Sequence, residues 1–217
     1  MRESYRNQLK ILHTEMIRMG ALCENAIKNA VKGLIEENCV PREKVTELEH
    51  EINQKEREIE TICVRLLLRE QPVARDLRQI RAAQGIIANM ERIGDQAADI
   101  AELAELVVGS SIKNDIDIGE IARAAIKMLS DSVDSFVQGD LDKARGVMAY
   151  DDVIDDLFNT IKEQLIGLIA IDRCQGGACL DILMIVKYFE RIGDHAQNIA
   201  EWVQYSITGK RGGKDPT

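Results

Sequence analysis

A stretch of twelve residues in this chain is repeated with three changes. Glu91-Arg92-Ile93-Gly94-Asp95 returns as Glu190-Arg191-Ile192-Gly193-Asp194, a shift of 99 residues. From Glu91 to Glu102 the copies agree at nine of twelve positions and differ only at Gln96/His195, Ala98/Gln197 and Asp99/Asn198. A self-match of that length in 217 residues marks an internal duplication, so the chain is expected to fold as two like units, each the size of a small domain.

The repeated stretch is chemically unusual. On a helix, Glu91, Asp95, Asp99 and Glu102 follow one another at i+4, i+4 and i+3 and form one acidic stripe; Glu190, Asp194, Asn198 and Glu201 repeat it. Like charges at that spacing repel and weaken their own helix unless a positive charge sits on them. The stripe runs beside an apolar seam, Met90, Ile93, Ala97, Ile100, Ala104 and Val107, which sets it at the edge of a buried face.

Low aromatic content (4%) and three prolines, with abundant Ala, Ile, Leu, Glu, Lys and Arg, give a helical-bundle composition. A formal charge of −9 argues against nucleic acid as the main partner, because phosphate binding needs clustered cations. Arg2, Glu3, Arg6 and Lys10 interrupt any signal-like run at the start, and the longest apolar stretch, around Leu165 to Ile171, is too short to span a bilayer. The expectation is a cytoplasmic protein. Five cysteines without a Cys-x-x-Cys pair read as reduced packing residues, with Cys174 and Cys179 the only pair to consider for a metal.

Apolar steps of three and four predict six helices: about 3–38, from Pro41 to about Arg69, Asp76 to Val107, Ile118 to Val137, one through Val147 to Leu168, and Leu180 to Ile207. Gly20 and Gly33 inside the first helix predict close approach of another helix. Gly139-Asp140 reads as a stop followed by an N-cap, and Asp172 to Ala178 as a loop. The expected fold is all-α, two tandem antiparallel three-helix bundles over 1–109 and 112–208, with a loose tail at 209–217. Arg75, Arg78 and Arg81 share one face at the start of the third helix, either a solvated, ion-paired surface or an anion or partner contact.

In such a bundle the second and third helices of each unit are neighbours. Glu49 and Asn53 can then face Glu91, Asp95 and Asp99, and Asp151 and Asp155 can face Glu190, Asp194 and Asn198. Asp151 occupies a seam position where an apolar residue is expected, and an unpaired buried carboxylate costs several kcal/mol. Facing carboxylates on adjacent helices supply hard oxygen ligands for a bridged metal site. All-oxygen ligation points to iron first, with manganese, magnesium or calcium; zinc more often recruits His or Cys. The bland reading is a salt-bridge network through Arg92, Arg191, Lys187 and Arg81. His195 is the natural nitrogen ligand beside Asp194, although its counterpart is Gln96; His50 and His13 have weaker claims.

The doubled Glu-Arg-Ile-Gly-Asp-x-Ala, the upstream Glu49-x-x-x-Asn53 and Asp151-x-x-x-Asp155, Met19-Gly20, and Gln71-Pro-Val-Ala-Arg-Asp-Leu-Arg78 together resemble the PhoU family of phosphate-specific transport accessory proteins. The resemblance covers nearly the whole chain, in order. It implies two tandem three-helix bundles, often a homodimer, with metal clusters on the Glu/Asp-x-x-x-Asp motifs and no established catalytic activity. It further implies a cytoplasmic negative regulator that works with the ATPase of the phosphate ABC importer and with the phosphate-sensing histidine kinase, reaching the membrane only through these partners and binding no DNA itself. Carried over residue by residue, it assigns Glu49, Glu91 and Asp95 to one cluster and Asp151, Asp155, Glu190 and Asp194 to the other. Asn53 departs from the pattern, which wants an acid there; a neutral amide is a weaker ligand, and Asp99 is the candidate to compensate.

Two other readings compete. A carboxylate-bridged di-iron enzyme needs two Glu-x-x-His pairs, and the chain has only Glu47-x-x-His50; three residues beyond Glu91 and Glu190 stand Gly94 and Gly193. A structural scaffold would use the acids as salt bridges. A DNA-binding repressor lacks a recognisable reading helix.

Overall fold

The computed structural model describes residues 2–211 apart from 36–40, 71, 74, 108, 111 and 113–115. Six helices follow in order: α1 (Arg2–Ile35), α2 (Pro41–Glu70), α3 (Arg75–Leu106), α4 (Ile118–Gln138), α5 (Leu141–Ile171) and α6 (Gly176–Thr208). α1 to α3 form one three-helix bundle and α4 to α6 the other, as the duplication requires. Among the described residues no helix is long and apolar enough to cross a membrane.

The helix ends follow local chemistry. Pro41 opens α2, a position where its missing N–H costs nothing. Asp117 accepts a hydrogen bond from the Glu120 N–H at 3.2 Å and caps α4. Gly139 ends α4 with φ 66°, a left-handed conformation that glycine adopts without a Cβ clash. Asp140 then accepts from the N–H groups of Asp142 and Lys143 at 3.0 and 2.9 Å, starting α5. The stretch from Asp172 to Ala178 differs from its expected loop: the Asp172 carboxylate accepts from Cys174 N–H at 3.0 Å and caps a short 3₁₀ turn at Arg173–Gln175, so α6 begins at Gly176. α6 itself has no side-chain cap; Gly176 and Gly177 continue directly from the capped 3₁₀ turn.

The two units do not keep separate cores. One continuous apolar cluster runs from Leu12 in α1 to Val203 in α6, and α3 against α6 is the most extensive helix contact in the molecule. Gly20 permits the α1–α4 contact, since a Cβ there would lie 3.2 Å from Val133 Cγ2. α3 and α6 run antiparallel: Gly85 at one end lies beneath the Trp202 ring, and Tyr188 meets Asp99 and Leu103 at the other. The arginines at the start of α3 are drawn into this contact. Arg81 lies 4.9 Å from the Trp202 ring centroid, and Arg78 packs its Cδ where a Cβ on Gly209 would stand 3.7 Å away. Arg211, in the stretch expected to be loose, sits 4.1 Å over the same tryptophan and pairs with Glu201 at 3.4 Å. Residues 212–217 lie outside the described ones.

Candidate metal centres on the paired helices

Each copy of the repeated motif lies against the helix that precedes it, and its glycine sets the distance. A Cβ on Gly94 would stand 3.0 Å from Ile52 Cδ1, and one on Gly193 would stand 2.7 Å from Ile154 Cδ1. Only a bare backbone lets α2 approach α3, and α5 approach α6, this closely. Ile52 and Ile154 are each followed by the second polar residue of the upstream motif, Asn53 and Asp155. Closing the helices on these isoleucines therefore aligns Glu49 and Asn53 with Glu91 and Asp95, and Asp151 and Asp155 with Glu190 and Asp194. The same packing fills the level of Gly94 and Gly193, where a di-iron enzyme would carry its ligand histidines.

In the first site burial raises the Glu91 carboxyl above its usual range, with Asp95, Glu56 and Glu49 adding repulsion and Arg92 opposing it. Asn53 donates through Nδ2 to Glu49 Oε1, while its own Oδ1 is buried with no hydrogen-bond partner. Arg92 takes up part of the charge, lying 3.2 Å from Asp95 and 3.4 Å from Glu91, and His50 lies 3.4 Å from Glu49. Glu56 was not among the expected ligands. Its carboxyl is raised by burial and by Glu60, with Asp95 adding to the effect. The signal was present in the spacing, because residues 49, 53 and 56 share one helical face.

In the second site Asp151 holds its proton up to about 6, first through burial, then through the charges of Asp194, Asp155, Asp152 and Glu190. Burial and Glu190 also raise Asp194. Lys187 lies 2.5 Å from Glu190 and is the counter-ion of this cluster. Asn198 stands apart: its Nδ2 donates to the backbone carbonyl of Asp194 at 2.9 Å. Asp99 lines a separate groove with Arg42 at the start of α2 and Tyr188 of α6, where burial followed by Asp95 and Glu102 raises its carboxyl and Arg191 lowers it.

His195 faces the other unit. Asn89 Nδ2 donates to the Gly85 carbonyl at 2.7 Å, so its Oδ1 is the acceptor for His195 Nδ1–H at 3.0 Å. Burial, then Arg92 and Arg191, lower the histidine's pKa against the pull of Asp95, which keeps the ring neutral at pH 7. His195 thus ties α6 to α3 between the two acidic clusters. His13 packs edge-on against Phe136 at 5.5 Å, and the four described cysteines are free, three of them buried. The expected salt-bridge network is partly formed: Arg92 and Lys187 pair with motif acids, whereas Arg81 and Arg191 lie over Trp202 and Tyr188.

Among the described residues no three His, Cys, Asp or Glu side chains converge closely enough to hold one ion as they stand. The donor chemistry nevertheless fits a hard cation. The acids are partly desolvated, they raise one another's pKa, and an orphaned amide oxygen lies beside them. Side-chain rotation would have to complete a ligand set.

Protonation of Asp151 has a stability consequence with a definite sign. In the unfolded chain this carboxyl ionises at its ordinary 3.8; in the fold it keeps its proton to about 6. The folded state therefore binds the extra proton between those values, and stability falls as pH rises through that window. Because the group is only partly buried and solvent screens it, the effect is on the order of 1 kcal/mol. Metal-free protein should lose about that much between pH 4 and 7 through this group, and Asp151→Asn should flatten the curve. Urea midpoints across pH check this.

The family model described as the PhoU domain matches the chain twice, over residues 16–104 and 118–203. The phosphate-specific transport system accessory protein PhoU homolog of Pseudomonas aeruginosa is 34% identical over 209 residues, covering 95% of this chain and 86% of its own length. That of Clostridium acetobutylicum is 32% identical over 212 residues, covering 97% of each chain. The crystal structure of PhoU from Pseudomonas aeruginosa superposes with a TM-score of 0.89 at 34% identity, over 95% of this chain and 100% of that one. The Streptococcus pneumoniae phosphate transport system regulatory protein PhoU does so with a TM-score of 0.84 at 25% identity, over 95% and 98%. Two family domains at the positions of the two bundles, each holding one copy of the repeated motif, leave one assignment: the chain belongs to the PhoU family.

Proposed function

We propose that this protein is a non-enzymatic negative regulator of phosphate uptake and of the phosphate-starvation response. It works in the cytoplasm with the ATPase of the phosphate ABC transporter and with the phosphate-sensing histidine kinase. Its relatives are named as accessory proteins of the phosphate-specific transport system. The single observation that carries the reading at this chain's own residues is the pair of like carboxylate clusters, each built by a glycine-mediated helix contact and each short of positive charge.

In this reading Glu49, Asn53, Glu56, Glu91 and Asp95 hold metal in the first unit, and Asp151, Asp155, Glu190 and Asp194 in the second. The bound ion supplies positive charge that lets these acids ionise side by side, iron being the first choice for an all-oxygen set. A bound ion would take the place that Arg92 and Lys187 hold against these carboxylates. The acids lie at the rim of each bundle, so their charge and shape are presented outward to a partner. A homodimer is part of the same proposal.

Elemental analysis of protein purified without tag or chelator, beside Asp95→Ala/Asp194→Ala, tests the metal part. Metal in the native protein, reduced at least about tenfold in the variant, is the expected result. Metal lost while repression and partner binding persist would make metal incidental to regulation. No metal, with melting unchanged by added iron, manganese or zinc, would favour the salt-bridged scaffold that Lys187–Glu190 and Arg92–Asp95 already sketch.

A further inference from the structure

The duplication gives the α3–α6 contact an approximate two-fold axis, and its two ends are not filled alike. Shifting by 99 residues takes Gly85 to Met184 and Trp202 to Leu103. At the first end the indole of Trp202 lies on the bare backbone of Gly85, with the Arg81 and Arg211 guanidiniums over the ring. The chain plugs that groove with its own tryptophan. At the other end the smaller Leu103 stands in that place, and a cavity of about 310 Å³ lies beside it, lined by Arg42 of α2, by Asp99 to Leu106 of α3 and by Tyr188 of α6.

The open groove has an apolar wall and an acidic rim. Leu103 and Leu106 of α3 face Tyr188 of α6 across it, and Leu106 is 64% exposed. Leu180, Met184 and Tyr188 follow at i, i+4 and i+8, one row along α6; the first two are 58% and 44% exposed. Asp99, Glu102 and Glu105 form the rim with Arg42, whose Nη1 is 2.9 Å from Glu105 and Nη2 3.5 Å from Glu102, and Arg191, over the Tyr188 ring, also acts on Asp99. Among the described residues three carboxylates against two guanidiniums leave the rim negative.

We propose that this groove is the docking site for a basic amphipathic helix of a partner protein. The partner seats one bulky apolar side chain in the cavity, as Trp202 does at the other end, and sets Lys or Arg against Glu102, Glu105 and Asp99. A helix is the matching shape, because the walls are packed helices, α3 and α6 with the start of α2, and the exposed apolar row beside them on α6 extends over two turns. The charge selects a basic partner over a second copy, whose matching face carries the same acids. This assignment is independent of the carboxylate clusters and stands whether or not they hold metal.

The test places a photo-crosslinking amino acid at Leu106, and separately at Met184, in the full-length protein in cells, and maps the joined segment by mass spectrometry. A synthetic peptide of that segment is then titrated against the purified protein by fluorescence anisotropy. The expected result is a segment of net positive charge with apolar residues at helical spacing. Its affinity should fall about tenfold or more in Glu102→Lys/Glu105→Lys, and again in Leu103→Trp, which fills the cavity. Glu102 and Glu105 are surface groups, so the charge variant keeps its fold even if Leu103→Trp does not. Crosslinks to this chain alone, to a segment without basic residues, or at neither position would overturn the proposal. So would peptide affinity unchanged by the charge reversal.

Discussion

Phe189→Ala should lower the unfolding free energy by about 3–5 kcal/mol, the usual cost of emptying a fully buried aromatic site. Phe189 is 0% exposed and stands in α6 one residue before Glu190. Single domains of this size hold only about 5–15 kcal/mol in all, so one such cavity removes a large share of the margin. Because the core is continuous from α1 to α6, the loss should appear as a single earlier transition in urea unfolding, with both bundles melting together. Two separated transitions would mean that the bundles unfold independently and that the α3–α6 contact contributes little.

Gly85→Ala should be the second large effect, and it runs against helix propensity. Alanine in a helix interior is favoured over glycine by about 1 kcal/mol. Here the added Cβ would lie 2.1 Å from Trp202 Cε2, and an indole is too rigid to bend aside. The ring must leave the groove, giving up its packing and the two guanidinium contacts, a loss of about 3–4 kcal/mol that leaves a net destabilisation of about 2–3 kcal/mol. Trp202 is the only tryptophan, so its emission reports the event directly: a red shift in the folded variant at pH 7, together with a lower urea midpoint. An unshifted emission maximum with unchanged stability would show that the α3–α6 packing at this end is looser than drawn.

Much of this architecture was legible in the residues. The doubled Glu-Arg-Ile-Gly-Asp motif announced two units. Three-four apolar spacing placed all six helices within a few residues, and Gly139-Asp140 marked its turn, because these signals depend on neighbours along the chain. The start of α6 lies earlier than the spacing predicts, since Gly176 and Gly177 continue from a 3₁₀ turn that Asp172 caps, a geometry that apolar spacing does not encode. The clusters were partly legible as well. Glu49, Glu91, Asp95, Asp151, Asp155, Glu190 and Asp194 share helical faces that any close helix pair would align, and Glu56 shares the face of Glu49 and Asn53 although it lies outside the repeated i+4 motif.

What lay beyond the sequence was which neighbour each face would meet. Periodicity sets the direction of a side chain about its own helix axis; it says nothing of the helix packed across from it. Asp99 and Asn198 fall in register with the motif acids, yet one turns to the α3–α6 groove and the other to its own backbone. His195 stands beside Asp194 in the chain and binds Asn89 of the other unit. The two-fold likeness of the motif likewise concealed the unequal ends of the α3–α6 contact. Neighbour relations along the chain are enough to define the helices, the duplication and the acids to be gathered. That Trp202 closes one end of the α3–α6 contact while the other stays open depends instead on side-chain volumes meeting across helices about a hundred residues apart.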